Sequence, residues 1–410
     1  MLLLVLAALP FVLHSVYANG GFYYDDQFHL QQCRLIETQQ ISFADYVLLP
    51  HGEHFIPIWK ALFCGCYLAF GESSLAFHLL VTAFHSAAVL LLYFLLRSYT
   101  TDLSAAAASI IWAMAAIGGW DGPFLWIAAS HLSVGVTFIL AAMCCLTKKH
   151  SADHRRWALL FGALLTLGLF TMGSLIVLMP ALLLQYWLFE HQPRSLTRSM
   201  IWWLTALAVP CVAVVAVHLL YVLPAVERLD RPAMNPGAAL QMLSGGYAIA
   251  SWRLVSWADN AVFWGRLFGL ALLTALLRLG SSAERRSSLL FFAVSVFFSL
   301  LAYTARSGWE VAHVLSWGRY RYLPTLFWCV VAGIVAAAGL RWLRNHRRDL
   351  VWPSVLSVGL FVMIVQFRIA ASSAEVFRRI AAEERRHSLV DDATPDRANR
   401  QASIRDSTGI

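Results

Sequence analysis

The sequence has 410 residues, of which 59% are hydrophobic and 13% charged. Soluble domains average about 45–50% apolar and about 25% charged residues, so a soluble enzyme, a disordered chain and a disulfide-rich secreted scaffold are excluded. The formal charge is +8, from 31 Lys and Arg against 23 Asp and Glu. These basic residues fall in short loops between apolar runs, not in a stripe interleaved with aromatics, which argues against nucleic acid as a partner. The composition is that of an all-α polytopic membrane protein.

A membrane span takes about 20 apolar residues. On that basis the chain holds about 11 transmembrane helices, near 2–18, 74–96, 104–119, 125–146, 157–172, 174–189, 200–222, 259–278, 288–304, 321–340 and 350–367. The run 157–189 is too long for one span and breaks at Gly173. No basic residue precedes the first span, so it reads as retained, although Val16-Tyr17-Ala18 also resembles a signal-peptidase site. Residues 1–367 form the membrane domain, and 368–410 a charged tail that is helical to about 388 and disordered beyond. The seven cysteines are odd in number and sit mostly inside apolar runs, where they pack.

Loop charges set the orientation. Arg97, Lys148, Lys149, Arg155, Arg156, Arg194, Arg198, Arg278, Arg285, Arg286, Arg341, Arg344, Arg347 and Arg348 share one side, the cytoplasm. Segments 19–73, 119–124, 223–258 and 305–320 then face outward. In the longest of these, 19–73, residues 28–47 are expected as one interfacial helix and 56–70 as an interfacial or re-entrant one.

Four clusters on the outward side carry the residues suited to chemistry. Tyr23-Tyr24-Asp25-Asp26 places adjacent carboxylates at the membrane boundary. One of them caps the following helix, or serves as a general base facing a cleft. Neighbouring side chains diverge, so only one is expected to point inward. Pro50-His51-Gly52-Glu53-His54 has metal-binding residue types without a ligand spacing. Trp120-Asp121-Gly122-Pro123-Phe124-Leu125-Trp126 is a turn between spans, and its Asp between two Trp also suits a sugar. Gly318-Arg319-Tyr320-Arg321-Tyr322 brings arginines to the outer side, where they reach lipid headgroups or grip a phosphate bidentately.

The order and sidedness of these clusters resemble the GT-C superfamily of integral-membrane glycosyltransferases, in particular the protein O-mannosyltransferases, the transmembrane tetratricopeptide-repeat transferases and the aminoarabinose transferases. Tyr24-Asp25-Asp26 resembles their acidic pair, and Glu53-His54-Phe55-Ile56-Pro57-Ile58 their His/Tyr-x-Pro-Leu stretch. Leu125-Trp126-Ile127-Ala128-Ala129-Ser130-His131 is similar to their Trp-Ile-x-x-Arg segment, and Arg319-Tyr320-Arg321-Tyr322-Leu323-Pro324 to their Arg-Tyr-x-Tyr-x-Pro segment. The likeness is good over residues 10–146 and moderate over 315–345. Three departures stand out: His131 replaces the usual Arg, Gly122 stands where many relatives have Glu, and these 410 residues hold no counterpart of the relatives' large C-terminal soluble domain.

The resemblance implies transfer of a sugar from a polyprenyl-phosphate carrier to an acceptor hydroxyl on the outer, periplasmic face, with inversion. It casts Asp25, then Asp26, as the base, and Arg321 or Arg319 as the cation on the phosphate. His54 and Asp121 position sugar or acceptor, Trp120 and Trp126 stack, and Tyr322 joins the binding set. No cofactor is required, with room left for a divalent metal. The partners are the lipid-linked donor, a glycan, lipid or protein acceptor, and membrane lipid, in a bacterial inner membrane. Two other classes use the same carriers. A flippase would carry charges at midplane, and an O-antigen polymerase or ligase would concentrate basic residues in a late outer loop such as 223–258, which has Arg228, Arg231 and Arg253.

Overall fold

A computed structural model describes residues 1–15, 22, 25–51, 54–115, 127–189, 198–222, 224, 234–254, 262–316 and 318–347, with scattered positions from 353 to 375. All structural statements concern these. The described chain is helical throughout, apart from an isolated bridge between His51 and His54.

Six segments are long and apolar enough to cross a membrane. They are α5 (Ser74–Arg97), the segment Ile127–Leu146 that enters α7 (His131–Leu146) through a 3-10 turn, Met200–Leu220 within and beyond α10 (Arg198–Val217), α12 (Val262–Leu279), α13 (Ser282–Ala305) and α15 (Tyr322–His346). Four apolar stretches are shorter: α1 (Leu2–His14), α4 (Pro57–Phe70), α6 (Asp102–Met114) and Gly173–Leu188. Against the expected eleven, six full-length spans lie among the described residues. Residues 116–126 and most of 350–410 lie outside the description.

The long run 157–189 does divide at Gly173: α8 (His154–Thr171) ends, Met172 is extended, and a 3-10 turn over Gly173–Leu178 leads into α9 (Met179–Leu188). Two expectations are corrected. The single interfacial helix over 28–47 is two, α2 (Asp25–Glu37) and α3 (Phe43–Leu48). Gln39 takes a φ of 59° between them, and Ser42 with Asp45 closes a capping box that starts α3 afresh. The outer stretch 223–258 is not all loop, for it contains α11 (Pro236–Trp252). Pro236 follows an Asn235 cap that accepts the Ala238 amide, an N-terminus masked in the sequence by the Gly245-Gly246 pair. A short α14 (Val311–Ser316) and a turn over Gly318–Arg321 lead into α15.

Two close approaches fix the bundle. At Gly333 a Cβ would lie 2.3 Å from the Ala108 Cα, so α15 and α6 touch backbone to backbone. Elsewhere in the bundle, buried Glu284 opens α13 and receives the Ser104 hydroxyl and the Arg341 guanidinium, the latter at 3.1 and 3.2 Å. A buried carboxylate is tolerated because it is paired and hydrogen-bonded. The seven cysteines are free thiols. Under the outer loop a second, smaller core of Leu30, Cys33, Tyr46, Trp59, Phe63 and Phe77 joins α2, α3, α4 and α5.

Candidate active site

The outer helices converge on the amino-terminal end of α2. Asp26 is fully buried, and its Oδ1 accepts the Ala128 amide at 2.6 Å, which docks α2 on the 3-10 turn ahead of α7. Successive helical residues point about 100° apart, so Asp25 faces elsewhere. Its side chain is 44% exposed, with Oδ2 3.4 Å from His51 Nε2. His51 and His54 exchange backbone hydrogen bonds of 2.8 and 2.9 Å. The His54 ring in turn lies 5.6 Å from that of His131. His131 Nδ1 is 2.6 Å from the Ala128 carbonyl, an oxygen that only accepts, which fixes a proton on Nδ1.

Behind this layer lies His29, fully buried, with Nδ1 2.9 Å from the Tyr46 hydroxyl and its ring 4.7 Å from that of His51. Burial, reinforced by the charges of His51, Lys60 and His131, lowers its pKa to about 2, so it is neutral. Trp59 Nε1 donates to Ser130 Oγ at 2.9 Å and ties α4 to the same turn that receives Asp26.

Asp25, His51, His54 and His131 form part of the polar end of a cavity of about 580 Å³. Arg306 and Tyr320 line the same cavity, Arg306 Nε donating to the Tyr320 hydroxyl at 3.0 Å. The remaining walls are largely apolar, with Leu169 and Met172 of α8, Ile176 and Val177 of the following turn, Val214 of α10, and Phe298 and Leu301 of α13, although Ser174 and His218 also line them. A carboxylate, a guanidinium and four imidazoles thus line a cavity whose other walls are largely apolar and suit a hydrocarbon chain.

The expected residues divide accordingly. Asp25 and His54 line the cavity, whereas Asp26 serves the α2 anchor behind it. Tyr322 is fully buried in the helical core, its hydroxyl 3.2 Å from His85 Nδ1. Arg321 is 6% exposed, is not among the cavity-lining residues, and donates from Nη1 to the Leu315 carbonyl at 3.1 Å. Trp120, Asp121, Trp126 and the Arg319 side chain lie outside the described residues. Sequence reasoning did not assign His51, His131, Arg306 or Tyr320 to the site. Arg306 had a signal, a basic residue at the outward end of a span, against the positive-inside trend. Among the described residues no three His, Cys, Asp or Glu side chains converge to hold a metal.

Residues 57–221 match the family model described as dolichyl-phosphate-mannose-protein mannosyltransferase. The match runs from α4 through α10 and includes His131 and most of the apolar trough. The match covers about two fifths of the chain. No curated protein matches the chain. Among solved structures, the apo oligosaccharyltransferase of Archaeoglobus fulgidus is similar at 13% identity and a TM-score of 0.48, over 91% of this chain and 55% of that one. The archaeal oligosaccharyltransferase AglB from Archaeoglobus fulgidus, in complex with an inhibitory peptide and a dolichol-phosphate, is similar at 14% identity and a TM-score of 0.44, again over 91% and 55%. The chain spans about half the length of these solved structures.

Proposed function

We propose that the protein transfers a sugar from a polyprenyl-phosphate donor to an acceptor hydroxyl on the outer face of a bacterial inner membrane. The observation that carries this reading is one cavity in which Asp25, four histidines and Arg306 stand among largely apolar walls. The prenyl chain lies along Ile176, Val177, Val214 and Phe298, and the phosphate meets Arg306 beside Tyr320. Guanidinium binds phosphate oxygens with charge-assisted, bidentate hydrogen bonds and stabilises the charge that collects on the leaving group. The cation expected at Arg319 or Arg321 is thus assigned to Arg306, with Arg321 holding the loop ahead of α15.

Asp25 is the general base. The acceptor oxygen bonds to the anomeric carbon as its proton passes to Asp25, while the bond from that carbon to the phosphate oxygen breaks and polyprenyl phosphate leaves. A single displacement inverts the anomeric centre. General-base assistance is worth about 10²–10⁴ in rate. His51, 3.4 Å from the carboxylate, orients it, and His54 with His131 contacts the sugar or acceptor. No step depends on a metal.

The test measures polyprenyl phosphate released from a panel of polyprenyl-phosphate sugars by purified protein in lipid nanodiscs. Release by wild type that Asp25→Asn abolishes is the expected result. Equal release by both removes Asp25 from the role. Saturable donor binding without release, unchanged in Asp25→Asn, would turn the reading to a lipid-linked glycan carrier.

A further inference from the structure

Lys60 is fully buried, an unusual place for a lysine, and the transfer chemistry does not use it. It sits on α4, and its Nζ donates to the carbonyls of Tyr46, at 3.0 Å, and of Leu49. The same ammonium lies 5.0 Å from the centre of the Tyr46 ring. These contacts satisfy carbonyls at the end of α3, where the helix stops and its last C=O groups have no partner of their own. Burial lowers the Lys60 pKa to about 8, which leaves the amine charged at neutral pH.

The two tethered carbonyls stand just before Pro50 and His51, the residue that meets Asp25. Tyr46 also reaches the site through its hydroxyl, which lies 2.9 Å from His29, and His29 packs its ring against His51. One ammonium therefore fixes both supports of His51, the backbone that leads into it and the ring packed against it. The preceding residue, Trp59, holds the opposite wall through Ser130, next to His131. Consecutive residues of α4 thus clamp the two halves of the polar end.

We propose that Lys60 is a positioning residue, a buried cationic clamp that sets His51 against the Asp25 carboxylate. The role rests on the transferase reading for its effect on rate, but the placement of His51 stands apart from it. Displacing a catalytic group by about 1 Å costs about 10²-fold. Lys60 touches neither carrier nor sugar, so its loss should fall on turnover and not on donor affinity.

The experiment compares wild type, Lys60→Met and Lys60→Arg, each in nanodiscs. Two quantities are read: steady-state release of polyprenyl phosphate, and the rate at which diethyl pyrocarbonate modifies His51, followed by peptide mass spectrometry. Lys60→Met should lower kcat by about 10–100-fold with donor KM within about threefold. It should also speed His51 modification several-fold, and Lys60→Arg should recover part of both. Unchanged His51 reactivity in Lys60→Met overturns the proposal, as does a rise in KM with kcat preserved. Should the methionine variant not fold, Lys60→Gln, which keeps a donor amide, gives the same readouts. If wild type, with no acceptor hydroxyl in the assay, releases no polyprenyl phosphate, the His51 modification rate alone decides the clamp.

Discussion

Asp26 reaches across 102 positions of sequence to accept the Ala128 amide at 2.6 Å, while its neighbour Asp25 opens onto the cavity. Two adjacent carboxylates thus have separate surroundings, one joining α2 to the turn ahead of α7 and one facing the cavity. Their variants should part in the same way. Asp26→Leu strands a buried amide and should destabilise the protein by about 1–3 kcal/mol. Asp25→Asn should leave the thermal midpoint unchanged and stop turnover. Thermal unfolding in nanodiscs, set beside the release assay, checks both, and equal loss of stability in the two variants would contradict the division.

Arg306 and Arg321 should also separate. Arg306→Ala removes the only described arginine lining the cavity and should raise donor KM by about 10–100-fold, the cost of a charge-assisted hydrogen bond of about 1.5–3 kcal/mol. Arg306→Lys should recover only part of this, because an ammonium cannot match the bidentate fork. Arg321→Ala, which frees the Leu315 carbonyl, should lower the thermal midpoint more than it raises KM. Donor titrations of the three variants decide the matter.

Buried, neutral His29 gives the fold an acid-sensitive element. Its pKa is about 2 in the folded chain and about 6.5 when exposed, so as pH falls below 6.5 the unfolded state binds a proton that the folded state refuses. Stability therefore falls with falling pH across the window from 6.5 to about 2, approaching about 1.4 kcal/mol per unit once well below 6.5. His29→Phe should show a shallower fall of thermal midpoint between pH 6.5 and 4.5 than wild type. Parallel curves would mean that His29 takes up protons in the folded state.

At Gly333 the crossing of α15 and α6 leaves no room for a side chain, since a Cβ would meet Ala108 backbone at 2.3 Å. Gly333→Val should force the helices apart at a cost of about 1–3 kcal/mol or more. Gly339, with open space where a Cβ would stand, is the control on the same helix. Gly339→Ala should fold normally, and comparable midpoints for the two variants would show that the crossing relaxes.

Much of the helical frame was legible because spans in lipid announce themselves by length and apolarity. The break at Gly173 was legible too, since the run on either side was too long for one helix. The outer loop was harder. Its helices are short, amphipathic and interrupted at Gln39, and α11 hides behind paired glycines, so periodicity reads one helix where there are two and a loop where there is one. The site was half legible. Asp25 and His54 stood in a pattern that carries its own chemistry, but Arg306 sits at the end of an ordinary span, and nothing local ties it to Tyr320 or to Asp25.

The sequence by itself therefore determined the solvent and the helical class. Those properties follow from composition and need no knowledge of contacts. Only the tertiary structure decided which carboxylate faces the cavity, which arginine lines it and why a lysine lies buried beneath His51. Such choices depend on where helix ends far apart in the chain come to rest against one another, and a one-dimensional pattern carries no term for that distance.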